Sequence, residues 1–344
     1  MKAWVWEGVD RLRLADDWPD PVAKDGWVVV KVVSAGVCST DVAIIRGRFA
    51  AGSPPAILGH EICGRIASAG RGVTTVKEGD RVVVETSVGC GKCVQCRTGN
   101  KHLCREAGEI GFPPFAGGYA QYVAVPESCC RIVPDALSDD QSGIIEASVC
   151  PFGAVYRNPP KLGATVLVQG AGVAGLSFIQ AVKAYSAGKV ICSARNRSRL
   201  ANAKRFGADV VVNVKDESLA ERVLEETGGI GVDYSIDAAG APATIENAVR
   251  LCAPGGYVRL YGIPSEGSAI AFPAKDMILR QITVAGGTNN ELAWAPLLGL
   301  VAAGRFNNAD MVTHRFAFDG LAEAIDLVDR NPDGLIKAVV HPWE

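Results

Sequence analysis

The chain has 344 residues, enough for a large buried core and for two domains. Its formal net charge of −2 argues against nucleic acid or an anionic membrane surface as the main partner. No apolar run approaches the roughly 18 residues of a bilayer span, and Met1–Glu7 lacks the apolar core of a secretory signal. The eleven cysteines therefore read as cytoplasmic thiols and metal ligands, not as a disulfide framework.

The first ~150 residues read as short β-strands separated by turns. Strands are expected at Lys2–Glu7, Arg11–Ala15, Trp27–Val33, Arg65–Ala69, Arg81–Glu85 and Ala120–Val125, with turn signals at Gly79-Asp80 and Gly117-Gly118. Irregular β structure with long connections suits a site built on loops. Cys38 lies in one such connection, Val37-Cys38-Ser39-Thr40-Asp41. A second connection carries Gly59-His60-Glu61, one of only four histidines in the chain. A lone histidine is most often a satisfied core residue. Thiolate, imidazole and carboxylate together are a catalytic zinc set that leaves one position open.

The most specific local signal follows. Cys90, Cys93 and Cys96 are spaced by two residues, and Cys104 comes seven residues later. Four thiolates in so compact a lobe suit a closed tetrahedral zinc. An iron–sulfur cluster and a nucleic-acid-binding zinc ribbon are the rivals. The ribbon lacks the aromatics interleaved with Lys92, Arg97, Lys101 and Arg105 that such binding uses. His102 reads as a surface histidine.

Beyond about residue 154 apolar runs alternate with helical stretches. The runs are Ala164–Val168, Lys189–Cys192, Val210–Asn213, Val232–Ile236, Tyr257–Tyr261 and Ile282–Ala285. Their spacing predicts βα units and a doubly wound parallel sheet. The first run leads into Gly170-Ala171-Gly172-Val173-Ala174-Gly175, followed by a helix over Leu176–Tyr185. A glycine fingerprint between strand and helix places a pyrophosphate on backbone N–H groups. The next strand ends in Cys192-Ser193-Ala194-Arg195-Asn196-Arg197-Ser198-Arg199. An acid at this point would bind the ribose hydroxyls; none is present, and three arginines follow. The alternative to a phosphate role is that these are solvated charges at a helix start. Arg195 and Arg199, beside Ser193 and Ala194, favour NADP over NAD, because a guanidinium fork matches a phosphate monoester.

The last third predicts helices at Leu292–Ala303 and Gly320–Asp329 and a strand at Ile336–Val340 that completes the first domain's sheet. His314 and His341 have no sequence cluster around them and read as structural.

Taken in order, Cys38-Ser39-Thr40-Asp41, Gly59-His60-Glu61 with Gly64 and Gly70, the four-cysteine lobe, Gly79-Asp80-Arg81-Val82 and the Gly170 fingerprint resemble the zinc-dependent medium-chain dehydrogenase/reductase family. The resemblance runs through essentially the whole chain and is nearest to the sorbitol (polyol) and threonine dehydrogenase branch. It implies an α/β chain made of a GroES-like β-rich catalytic domain and a Rossmann coenzyme domain, with a cleft between them. The expected boundaries are 1–153 and 290–344 for the first domain, including a structural zinc lobe at about 88–105, and 154–289 for the second.

The resemblance also implies two zinc ions, one structural and one catalytic. That branch often uses an acid just before the coenzyme domain as third catalytic ligand, a position matched by Glu146. Cys150, four residues on, is the rival, and Glu61 can itself approach the metal in polyol dehydrogenases. Asp41 resembles the carboxylate that orients the histidine, and Thr40 the hydroxyl that relays the alcohol proton. The family's histidine three residues beyond that hydroxyl is here Ala43, so the relay's far end departs from the pattern. The implied reaction is hydride transfer between NAD(P) and a secondary alcohol or ketone: a polyol, cyclitol or diol. Ile110–Phe115 is either an aromatic wall of the substrate site or an ordinary loop packed on the lobe. Competing readings are a zinc-free quinone or enone reductase of the same superfamily and a non-catalytic dinucleotide-binding protein. A small-molecule substrate and a homodimer or homotetramer are expected, with neither nucleic acid nor membrane as partner.

Overall fold

A computed structural model describes all 344 residues, which form two compact units. The first comprises Met1–Ala147, Trp294–Gly304 and Asn308–Glu344; the second comprises Ser148–Ala293 and Arg305–Asn307.

The first unit is built on a seven-stranded sheet. Its order is Val312–Ala317, Lys337–His341, Trp27–Val37, Glu61–Ala69, Arg81–Val84 and Cys130–Ile132, and Tyr122–Pro126 also pairs with Trp27–Val37. Alternation along Trp27–Val37 sends Val28, Val30 and Val32 into a core with Trp4, Trp6, Ile62, Tyr119 and Phe318. The C-terminal strand does complete this sheet: Ala338, Val339 and Val340 pair antiparallel with Val37, Gly36 and Ala35. On its other side Gly36 pairs with Glu61. Paired residues share a face, so Glu61, Gly36 and Val339 line up across three strands, and Lys337 lies on that face two residues before Val339.

The second unit is a six-stranded parallel sheet in the order Val210–Asn213, Lys189–Ala194, Thr165–Gln169, Val232–Asp237, Cys252–Leu260 and Thr283–Gly286. Helices Val173–Ala184, Arg197–Arg205, Leu219–Glu226 and Pro242–Arg250 lie between successive strands in the chain. Val166, Leu167 and Val168 are all buried, as expected of a strand covered on both faces. The strand order reverses beside Thr165–Gln169, which places Gly170 at the topological switch point.

Several elements differ from expectation. The strand expected at Arg65–Ala69 begins at Glu61, because Ile62 and Cys63 pair with Ala35 and Ser34. His60 therefore sits at a strand's mouth. The helix expected over Leu292–Ala303 is a 3₁₀ turn, Glu291–Ala293, followed by an α-helix, Trp294–Ala302. The strand expected at Tyr257–Tyr261 starts earlier, at Cys252, across a register shift. A helix at Ser39–Ile45 and a strand at Val312–Ala317 lie where no element was expected.

His341 also departs from the reading of an isolated histidine. Its Nε2 lies 2.7 Å from Asp140, which also pairs with Arg315. The bond to Asp140 holds the imidazole pKa above its ordinary 6.5. A raised folded value stabilises fully below pH 6.5 and is lost as pH rises through the folded value. His341→Gln should therefore lower Tm near pH 6, and the gap to wild type should close as pH rises through the folded imidazole value. Thermal melts of both proteins across that range check this.

Candidate active site and coenzyme site

The site in the first unit begins with Cys38. It follows the strand Trp27–Val37 and caps the helix Ser39–Ile45, its Sγ accepting from the Thr40 N–H at 3.5 Å. Three residues on, Asp41 is fully buried and gathers three donors. Its Oδ2 accepts from the Cys38 N–H at 3.3 Å and from the Tyr119 hydroxyl at 2.9 Å. Its Oδ1 lies 3.0 Å from His60 Nδ1. A carboxylate only accepts, so Nδ1 carries a hydrogen, and Nε2 is the nitrogen turned toward Glu146.

Burial alone would raise the Asp41 pKa, but the His60 ring and the Tyr119 hydroxyl outweigh it and hold the carboxyl below its ordinary value. Burial and the Asp41 charge push the Tyr119 phenol well up, so it stays a donor. Burial works against a charged His60, but Asp41 and Cys38 raise it well above 6.5.

Ligating atoms of Cys38, His60 and Glu61 lie within 4.8 Å of one another. Glu146 approaches from the first turn of the helix Ile145–Arg157, its Oε2 4.0 Å from His60 Nε2. Cys150 follows one turn later in that helix and belongs to the second unit. Thiolate, imidazole and carboxylate are a donor set that fits zinc. Glu61 has an orphaned oxygen as well: its Oε1 pairs with Lys337, and its buried Oε2 has no hydrogen-bond partner. Thr40 is half-buried in the first turn after Cys38. The Phe112 ring packs against His60 at 5.1 Å between centroids, while Phe115 stacks on Trp27.

The four lobe cysteines also converge, with their sulfurs within 4.8 Å of one another. Cys93 caps the short helix Val94–Arg97 and accepts from the Cys96 N–H at 3.5 Å. Cys90 and Cys96 sulfurs are 4.0 Å apart. The Lys92 and Cys93 N–H groups lower the Cys90 thiol to about 7. In this lobe, Lys101 is buried with its Nζ 3.1 Å from Glu85, a carboxylate shared with Arg131.

In the second unit the fingerprint closes onto itself. A Cβ on Gly175 would lie 1.9 Å from the Gly170 carbonyl, so only glycine allows this strand–helix approach. Gly172 caps the helix Val173–Ala184, and Val173 and Ala174 form its first turn. Ser193 is buried, its carbonyl accepting from the Gly170 N–H at 2.9 Å. Ala194 ends the neighbouring strand, and Arg195 is exposed. Asn196 caps the helix Arg197–Arg205 through the N–H groups of Ser198 and Arg199. Arg197 is drawn to Asp216 at 3.0 Å. Arg195 and Arg199 make no ion pair.

The descriptions that match the sequence are "Alcohol dehydrogenase GroES-like domain" over residues 24–135 and "Zinc-binding dehydrogenase" over 174–303. L-threonine 3-dehydrogenase of Pyrococcus abyssi is 33% identical over 92% of this chain and 92% of its own. The chain belongs to the zinc-dependent medium-chain dehydrogenase/reductase family. Sorbitol dehydrogenase of Bacillus subtilis is 28% identical over 99% of this chain and 97% of its own. Among solved structures, a putative zinc-binding dehydrogenase of Sinorhizobium meliloti bound to NADP has a TM-score of 0.91 at 30% identity, covering 99% of both chains. A short chain alcohol dehydrogenase of E. coli CFT073 with NADH has a TM-score of 0.92 at 30% identity, again over 99% of both. The protein is thus a zinc-dependent NAD(P)-linked oxidoreductase with the GroES-like and Rossmann folds of this family. No helix is long and apolar enough to cross a membrane.

Sequence reading missed Tyr119, Gly36 and Lys337. Tyr119 and Gly36 leave no local signal. Lys337 does: a lone lysine inside Ile336–Val340, a run otherwise apolar, is a charge that burial forces to find a partner.

Asp41→Asn removes the charge and exchanges one of the two accepting oxygens for an NH2 donor, so His60 Nδ1, the Cys38 N–H and the Tyr119 hydroxyl can no longer all be accepted. It should weaken metal binding at Cys38 and His60 by about ten- to a hundredfold. Chelator competition on the two proteins checks the outcome; equal affinities would remove Asp41 from this role.

Proposed function

We propose that the protein interconverts a secondary alcohol and its ketone with NADP(H) as preferred coenzyme, on a polyol, cyclitol or vicinal diol, and holds one catalytic and one structural zinc. The cluster of Cys38, His60 and Glu61, with Glu146 4.0 Å from His60 and Asp41 behind the histidine, supports this reading. When bound there, zinc supplies Lewis acidity toward the substrate oxygen.

Each residue then has a part. Cys38, His60 and Glu146 would hold the metal, a three-ligand set that suits substrate binding beside it. Asp41 fixes the His60 ring and caps the Cys38 backbone, so two ligands are oriented by one carboxylate. The Thr40 hydroxyl takes the alcohol proton. Ala43 has no group to carry it further, so water or a coenzyme hydroxyl receives it. Gly170, Gly172 and Gly175 bring backbone N–H groups to the pyrophosphate, and Val173 and Ala174 present the helix terminus beneath it. Cys90, Cys93, Cys96 and Cys104 would hold the structural ion with four thiolates and so leave it no chemical part.

The substrate class rests on two supports. Sorbitol and threonine, the namesakes of two relatives, each carry a secondary carbinol beside a second polar group. Phe112 against His60 places an apolar surface next to the ligands, which suits the carbon skeleton of such a substrate.

Elemental analysis of metal-replete protein should return two zinc ions per chain. Cys96→Ser should destabilise the fold, whereas Cys38→Ser should abolish turnover and keep most of it. One zinc, substantial iron, or normal turnover in Cys38→Ser would contradict the assignment.

Coenzyme choice follows from Ala194 and Arg195. An acid at 194 would repel a 2′-phosphate of about −1.5 to −2 charge near neutral pH. Arg195 supplies a charge-assisted bond of roughly 1.5–3 kcal/mol, about ten- to a hundredfold in affinity. Arg199 can add to it, while Arg197 is already engaged by Asp216. With a panel of polyols, cyclitols and diols, kcat/KM should favour NADP(H), and Ala194→Asp with Arg195→Ala should reverse the order. A wild-type preference for NAD(H) would overturn this reading of the arginines and leave the zinc reading in place.

A further inference from the structure

A charged residue stands where the parallel sheet should be apolar. Arg259 lies in Cys252–Leu260, a strand paired on both sides, opposite Ile236 and Ala285. Its side chain is fully buried. A buried guanidinium is costly unless a carboxylate balances it. Here the acceptors are two carbonyl oxygens: Nη1 donates to Gly286 at 2.8 Å, and Nη2 donates to the Asn158 side chain at 3.0 Å. Nε is buried without a hydrogen-bond partner, and the Tyr257 ring lies 5.2 Å from the guanidinium. A valine or isoleucine would cost less in such a strand. What the arginine adds is two directional bonds.

Those bonds join two segments of the second unit. Asn158 follows the helix Ile145–Arg157, and Gly286 ends the last strand of the sheet. Residues 287–290 then lie along the helix. The Arg157 guanidinium donates to the Asn289 carbonyl at 3.4 Å. A Cβ on Gly153 would lie 2.8 Å from the Asn290 nitrogen, so a bare helix position admits the segment. Gly287 is bare toward the arginine: a Cβ there would lie 2.5 Å from Nη1. Two successive glycines leave the backbone wide conformational freedom. The bond from Arg259 to the Gly286 carbonyl restrains it.

The place of this segment gives the arginine its use. A dinucleotide crosses the C-terminal ends of the strands at the switch point, here beside Thr165–Gln169. In the proposed coenzyme reading, Ala194 and Arg195 meet the adenosine half on one side of that point. The nicotinamide half then falls on the other side, over the ends of Val232–Asp237, Cys252–Leu260 and Thr283–Gly286. Ala194 is three strands away from Arg259, roughly 14 Å across the sheet.

We propose that Arg259 is a positioning residue for the nicotinamide half of the coenzyme. It fixes the backbone of residues 286–290 before the coenzyme arrives, so that binding does not have to order two glycines. The adenosine half is outside its reach.

This inference rests on the coenzyme reading of the Gly170 fingerprint, and the test separates the two. Full-length protein is titrated by calorimetry with NADPH and NADH, and with 2′-phospho-ADP-ribose and ADP-ribose. These fragments keep the adenosine half and the pyrophosphate and lack the nicotinamide. In Arg259→Met the Kd of the preferred dinucleotide should rise about ten- to a hundredfold. The Kd of its matching fragment should stay at the wild-type value. A merely structural arginine predicts equal losses on both probes, or none.

If Arg259→Met does not fold, Asn158→Ala decides. Asn158 is exposed, and its removal frees the guanidinium on the helix side. It should give the same split at smaller size: a several-fold loss on the dinucleotide and none on the fragment. Equal changes on both probes, or no change on either, would overturn the proposal. If wild type binds neither fragment, the coenzyme reading itself fails and this inference with it.

Discussion

The first unit depends on one buried carboxylate. Asp41 is removed from water, a costly state for a charge unless donors replace the lost hydration. Three do so, and each comes from a different part of the chain: the Cys38 N–H, the Tyr119 hydroxyl and His60 Nδ1. Satisfying Asp41 therefore ties the end of Trp27–Val37, the entry to Glu61–Ala69 and the turn before Tyr122–Pro126 to one point. Backbone bonds reinforce the same junction. The Tyr119 N–H donates to Leu58, the Gly118 N–H to Gly59, and the Trp4 N–H to Tyr119. One buried acid thus ties together the segments that carry Cys38, His60 and Tyr119.

Charge balance is handled differently in the two clusters of the first unit. In the lobe, sulfurs accept backbone N–H groups at 3.4–3.5 Å, and only Cys104 is buried. Its nearby buried carboxylate, Glu85, is matched by Lys101 and Arg131. Around His60 the acids face one another, and the single compensating cation, Lys337, arrives from the last strand of the chain.

The second unit shows a different economy. A parallel sheet covered on both faces leaves its chemistry to the ends of its strands. Gly175 acts by what it lacks, since a Cβ there would meet the Gly170 carbonyl. In the proposed coenzyme reading, side chains would discriminate at Ala194 and Arg195, beyond the sheet's buried strands. Arg197 is paired with Asp216 at the surface, where such a pair contributes little stability.

The sequence by itself determined the class of both folds and the donor types available. Local rules write these features: two-residue cysteine spacing in the lobe, a glycine fingerprint between strand and helix, apolar runs at the period of βα units. Each depends on residues within a few positions of one another, so order along the chain is enough. Element edges were legible where turn residues marked them, as at Gly79-Asp80 before Arg81–Val84, and illegible where pairing extends a strand, as at Glu61 and Cys252. What only tertiary structure decided is which distant groups meet. Tyr119 on Asp41, Phe112 on His60, Asp140 on His341 and Lys337 on Glu61 are separated by 78, 52, 201 and 276 positions. Hydrogen bonds and ion pairs act over about 3 Å, and sequence separation carries no information at that range. Lysine 337 could be seen to need a partner; that the partner is Glu61 follows from a strand register and from the missing side chain at Gly36.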